Sequence, residues 1–152
     1  VSSDSSNIAM VCGVDPQRLV ILSRGGRDYR VASHRYLESD YREPVRVMFM
    51  PGQPYVLYRR PEGIGISDIG GSIHKVLPLS AEDFSVHYDP DCGRAYIAAR
   101  TDDAMTIVAF VPPDRLLGSV SLPADSEFIQ VIGSTLYFAD LKSLSSLSFL
   151  EE

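Results

Sequence analysis

The chain has 152 residues, of which 45% are hydrophobic and 22% charged. That is enough apolar material for a core and excludes a fully disordered chain. The longest apolar stretch, Ile107 to Val111 with Met105 just before it, falls far short of the ~20 residues a helix needs to cross a bilayer. The 14 basic and 20 acidic residues leave a net charge of −6, which argues against nonspecific nucleic-acid binding. The charge is uneven: residues 1–76 carry +2 and residues 77–152 carry −8.

Residues 1–7 are polar and serine-rich and read as a flexible N-terminal segment with no signal peptide. Residues 8–152 read as a single all-β repeat domain. Its first unit, 8–39, has an apolar run at Leu19-Val20-Ile21-Leu22 after an Asp15-Pro16 turn, and a further strand near Val31. The second unit, 43–80, has Tyr55-Val56-Leu57-Tyr58 after Met50-Pro51-Gly52, then strands near Ile66 and from His74 to Leu79. Pro78 to Asp83 has the makings of a helical turn. The third unit, 83–123, opens on Phe84-Ser85-Val86-His87-Tyr88, whose alternation marks a half-buried strand. Asp89-Pro90-Asp91 leads to Ala95-Tyr96-Ile97-Ala98, and strands follow near Ile107 and from Gly118 to Leu122. The fourth unit, 127–150, centres on Tyr137, with a third strand near Leu147. Leu141 to Leu150 is also the most helix-like stretch, and its four serines leave its type open. The continuous apolar runs predict inner strands buried on both faces.

The second strands recur at Val20, Val56, Tyr96 and Tyr137, spaced 36, 40 and 41 residues apart. A four-stranded unit repeated at about 40 residues has the period of a propeller blade. Pro44 to Leu57 resembles the first two strands of a WD40-type blade. Glu62 to Ile69 resembles the third strand, with Ser67-Asp68 where that family often carries Trp-Asp. Asp89 to Ala98 is similar to the related propellers with a Tyr-Val strand. The resemblance implies four blade-like units. They would form a four-bladed ring, half of a larger ring completed by another chain or a second copy, or a fragment of a longer polypeptide. The last two are favoured, because an open half-ring exposes apolar faces. A β-sandwich or barrel is the alternative fold.

The candidate chemistry is sparse. His34, His74 and His87 are far apart, and no metal-ligand spacing occurs. The carboxylates of Asp89, Asp91, Asp102 and Asp103 fit turn chemistry better than a calcium loop. Gly70-Gly71-Ser72-Ile73-His74 brings a Ser near a His on a hairpin, without a nucleophile elbow. No catalytic residue, metal or cofactor is expected. Cys12 and Cys92 read as buried or half-buried free thiols, with one disulfide as the lesser alternative.

The most suggestive tract runs from Arg24 to Arg60. It holds eight of the arginines, four acids and five of the eight tyrosines. Arg and Tyr are enriched at binding hot spots, and the guanidinium fork grips carboxylate or phosphate. The expected function is a propeller-type scaffold that docks acidic or phosphorylated protein partners within a larger assembly. Arg42, Arg46, Arg59 and Arg60 would be its ionic anchors, and Tyr36, Tyr41 and Tyr58 its stacking or apolar anchors. Nucleic acid is a poorer fit as partner, and an intracellular location is favoured. The competing readings are an enzyme or small-ligand protein with a central-channel site completed by other blades, and a β-sandwich recognition domain.

Overall fold

The computed structural model describes residues 1–2, 4–13, 16–37, 45–132, 135–139 and 143–148. Among the described residues every helix or strand is a strand. They are β1 (Asn7–Cys12), β2 (Gln17–Gly25), β3 (Asp28–Leu37), β4 (Val47–Phe49), β5 (Tyr55–Arg60), β6 (Gly63–Asp68) and β7 (His74–Leu77), then β8 (Asp83–Asp89), β9 (Arg94–Arg100), β10 (Ala104–Val111), β11 (Arg115–Pro123), β12 (Glu127–Ile132), β13 (Thr135–Ala139) and β14 (Leu144–Ser148). Four sheets result, ordered β1-β2-β3, β4-β5-β6-β7, β8-β9-β10-β11 and β12-β13-β14. All neighbours are antiparallel and joined in sequence, so the chain is a run of hairpins. The all-β class predicted from strand period and turn residues is the class observed.

Two compact units divide the chain, Val1–Leu79 and Ser80–Glu152. In the first, Leu19 and Ile21 of β2 and Leu37 of β3 pack with Val56 and Tyr58 of β5. Val47 and Phe49 of β4 close over this cluster. In the second unit, Tyr96 and Ala98 of β9, Ile107 and Ala109 of β10 and Leu122 of β11 pack against Leu136, Phe128 and Phe138 of the last sheet. Each fully buried Leu, Ile or Phe contributes roughly 1.5–3 kcal/mol. The middle strands are buried on both faces, as their unbroken apolar runs require: every residue of β9 from Arg94 to Ala99 is buried. The outer strand β11 instead has most of its side chains exposed.

Side-chain carboxylates tie the turns. Asp68 Oδ1 accepts from the Ile73 N–H at 2.6 Å, and the Asp68 carbonyl accepts from the Gly71 N–H at 3.0 Å. Asp89 Oδ1 accepts from the Asp91 N–H at 2.9 Å.

Two local expectations change, and one left open is settled as the strand expected near Leu147. Pro78 to Asp83 is not a helical turn. The Leu79 N–H bonds back to the Leu77 carbonyl at 2.8 Å, and Asp83 is already the first residue of β8. Within Leu141 to Leu150, residues Leu144–Ser148 form β14, because the open edge of β13 pairs with them from Ala139↔Leu144 to Thr135↔Ser148. The rest of that stretch lies outside the described residues. Both cysteines are free as expected, but both are exposed rather than buried. Cys12 is the last residue of β1, in register with the exposed Arg18, and Cys92 sits in the β8–β9 turn.

Candidate functional site

Residues 16–37 contain five arginines and a single carboxylate, Asp28. They form the β2–β3 hairpin, whose two-residue turn passes through Gly26 at φ +71°. A left-handed turn of this kind suits glycine and matches the strand twist. Antiparallel pairing sets Arg18 opposite Tyr36, Ser23 opposite Arg30 and Arg24 opposite Tyr29. The Arg18 guanidinium lies 4.7 Å from the centre of the Tyr36 ring, a cation–π contact. His34 meets the same ring edge-on at 6.5 Å. Tyr29 is held by its hydroxyl, which donates to the Ser5 carbonyl at 2.6 Å. Tyr36 stays 51% exposed and Val31 62% exposed. Arg18, Arg24, Arg27 and Arg30 are all exposed. The hairpin is therefore a strongly basic surface with two aromatic rings fixed in place.

The other face of β3 joins the neighbouring sheet through polar contacts. Ser33 Oγ donates to the Ile69 carbonyl at 2.9 Å, and Arg35 donates to the Gly71 carbonyl at 3.4 Å. Beside them the Tyr58 ring crosses β6 and its hydroxyl hydrogen-bonds His74 Nε2. This crossing requires Gly65: a Cβ there would lie 2.4 Å from Tyr58 Cζ. Burial pushes the Tyr58 hydroxyl above its usual value, against the pull of Arg60 and Arg35. Burial, then Arg35 and Arg60, push His74 below the usual imidazole value. The pair thus holds Tyr58 protonated and His74 neutral near pH 7.

Of the residues predicted as anchors, Arg46 and Arg59 meet across the β4–β5 pair, where the Arg59 N–H bonds to the Arg46 carbonyl at 3.0 Å, and Arg60 follows on β5; Tyr36 is on β3. Tyr36 and Arg46 are exposed, and Arg59 is half-buried. Arg60 is ion-paired to Glu62 at 2.5 Å, with its side chain 11% exposed. Tyr58 is no surface anchor, because its ring is fully buried in the first unit's core. Tyr41 and Arg42 lie outside the described residues. Arg18 was outside the arginine-rich tract, yet it pairs with Tyr36. Strand register is the signal that links them. Among the described residues no group of three or more His, Cys, Asp or Glu side chains could hold a metal ion. Among the same residues, no helix is long and apolar enough to cross a membrane.

A family model described as "beta-propeller protein" matches residues 1–152. An uncharacterised protein of Treponema pallidum (strain Nichols) is 23% identical over 124 residues, covering 82% of this chain and 33% of the relative. The chain thus spans about a third of the length of the curated relative it matches.

Proposed function

The chain belongs to this β-propeller protein family, and we propose that it is an interaction scaffold that docks an acidic or phosphorylated protein partner as part of a larger assembly. The observation that carries the reading is the β2–β3 hairpin. It presents exposed Arg18 and Arg24 beside Tyr29 and Tyr36 on one face, Arg27 at the turn and exposed Arg30 on the opposite face, with Asp28 as the only acid of the hairpin. Such a surface supplies guanidinium forks for carboxylate or phosphate oxygens and rings for apolar contact. Arg46 and Tyr36 are the predicted anchors whose exposure suits this role. Asp68 supports a WD40-type reading of the second sheet, since its carboxylate ties the β6–β7 turn.

The test is a fluorescently labelled acidic peptide carrying a phosphoserine, titrated against the wild type and an R24E/R27E/R30E variant. Circular dichroism would confirm that both are folded. The variant is expected to bind about tenfold or more weakly, since each charge-assisted hydrogen bond is worth roughly 1.5–3 kcal/mol. Equal affinity with the fold intact would remove the hairpin from the reading.

A further inference from the structure

The last strands of the first three sheets differ in how their free edges are guarded. A free edge carries unpaired N–H and C=O groups, and short length, charged side chains or proline normally keep other chains away from it. In the second sheet the last strand, β7, has four residues, with exposed Lys75 among them. In the first sheet the last strand, β3, carries Asp28, Arg30, His34 and Arg35. The last strand of the third sheet, β11, is nine residues long. Arg115 is its first residue and Pro123 its last, and Leu116 to Leu122 hold neither charge nor proline. A bulge at Leu117 falls near one end, between the pairs Phe110↔Leu116 and Ala109↔Gly118. From Gly118 to Pro123 the register is regular.

The hydrogen-bond phase of β11 follows from its neighbours. The Thr101 N–H bonds to the Ala104 carbonyl at 2.9 Å, which closes the β9–β10 hairpin with a bonded pair. Bonding alternates along an antiparallel strand. Thr106 and Val108 therefore bond to β9, whereas Met105, Ile107 and Ala109 bond to β11, opposite Leu122, Val120 and Gly118. The N–H and C=O groups of Ser119 and Ser121 point away from β10, and among the described residues no strand pairs with them. Both serines are exposed, whereas Leu122 is buried and Val120 packs on the second unit's core. Leu116 and Leu117 are exposed at the end of this stretch.

The surroundings are acidic. Asp102 and Asp103 form the β9–β10 turn, next to the Ala104↔Pro123 pair. Asp114 precedes β11 and Asp125 follows it, and all four carboxylates are exposed. Residues 101–127 hold five acids against Arg115 alone. A second copy paired antiparallel about Ser119 would set Asp114 beside the Asp125 of that copy at both ends, where like charges repel.

We propose that the free edge of β11 is a docking site that takes an extended segment of a basic protein partner by strand addition. Ser119 and Ser121 supply the main-chain donors and acceptors. The segment alternates apolar residues beside Val120 with Thr or Ser beside the two serines. Its Lys or Arg residues on either side meet Asp102, Asp103, Asp114 and Asp125. The site is independent of the β2–β3 hairpin, whose partner is acidic, so the failure of one leaves the other standing.

The probe is the peptide Lys-Lys-Thr-Val-Thr-Val-Thr-Lys-Lys, added to isotope-labelled protein. Amide hydrogen exchange is read residue by residue, and light scattering gives the mass. The Ser119 and Ser121 amides are expected to exchange about tenfold or more slowly at saturating peptide, in a complex of one chain and one peptide. The same peptide with Glu in place of Lys, or with proline at alternate positions, should leave them fast. Ser119→Pro removes an outward N–H and spares the bonds to β10. That variant should stay folded by circular dichroism and bind about fivefold or more weakly. Unchanged exchange at Ser119 and Ser121 in millimolar basic peptide would overturn the proposal. Equal binding by folded Ser119→Pro, or equal protection by the Glu or proline peptide, would overturn it too. So would protection in peptide-free protein that grows as concentration and mass rise together, because the occupant would then be a second copy.

Discussion

Gly65→Ala is the sharpest single perturbation of the first unit. A methyl at this position would sit 2.4 Å from Tyr58 Cζ, 2.6 Å from Cε2 and 2.8 Å from the hydroxyl oxygen. The ring must move by about an ångström to restore ordinary van der Waals separation. It has nowhere to go, since Tyr58 is fully buried among Leu19, Ile21, Leu37 and Val56 and its hydroxyl is bonded to His74. Overpacking of this kind costs roughly 1–3 kcal/mol, and loss of the hydroxyl bond adds about 1 kcal/mol. Replacing a strand glycine returns roughly 0.5–1 kcal/mol of chain entropy. The net destabilisation is about 1–3 kcal/mol on these terms, read as a lower urea midpoint by far-UV circular dichroism. Tyr58→Leu removes the ring and is destabilising alone, but Gly65→Ala should add little to it. A double-mutant cycle with additive costs, or a Gly65→Ala midpoint equal to wild type, would refute the clash.

Further outcomes follow from single contacts. Gly63 sits at φ +148°, and a Cβ would fall 2.0 Å from the Leu77 carbonyl oxygen. Gly63→Ala should therefore cost more than Gly65→Ala, on the order of 3 kcal/mol or above, in the same denaturation assay; a near-neutral change would contradict the geometry. Asp68→Ala leaves the Ile73 N–H without its 2.6 Å acceptor and should cost about 1–2 kcal/mol, with Asp68→Asn recovering part of it; equal midpoints for all three proteins would contradict this. Because the folded-state pKa of His74 is depressed, the unfolded chain binds the proton first as pH falls. The contribution is present above the ordinary imidazole value and lost below it. Urea midpoints at pH 7.5 and 5.5 should fall more for the wild type than for His74→Gln, and an equal fall in both would contradict it.

The sheets were legible because strand period and turn chemistry coincide. Tyr55 to Tyr58 and Ala95 to Ala98 are unbroken apolar runs, and both became middle strands buried on two faces. The same run held the correction to Tyr58: a strand buried on both faces leaves no tyrosine free for a partner. Arg60 was legible as charge, but its bond to Glu62 across the turn depends on side-chain geometry. Arg18 fell outside a tract defined by composition, because a cross-strand partner is set by register and lies 18 residues away in sequence. β14 was ambiguous because its serines and widely spaced leucines satisfy no period, and pairing with β13 decides its type.

The most direct test of the docking surface is a nuclear magnetic resonance titration. An acidic peptide bearing one phosphoserine would be added to isotope-labelled protein, with backbone amides and arginine Nε–H groups observed together. Docking on the β2–β3 hairpin predicts saturable shifts concentrated between Arg18 and Tyr36, weakening as salt is raised. Shifts confined to other strands, or none at millimolar peptide, would contradict it.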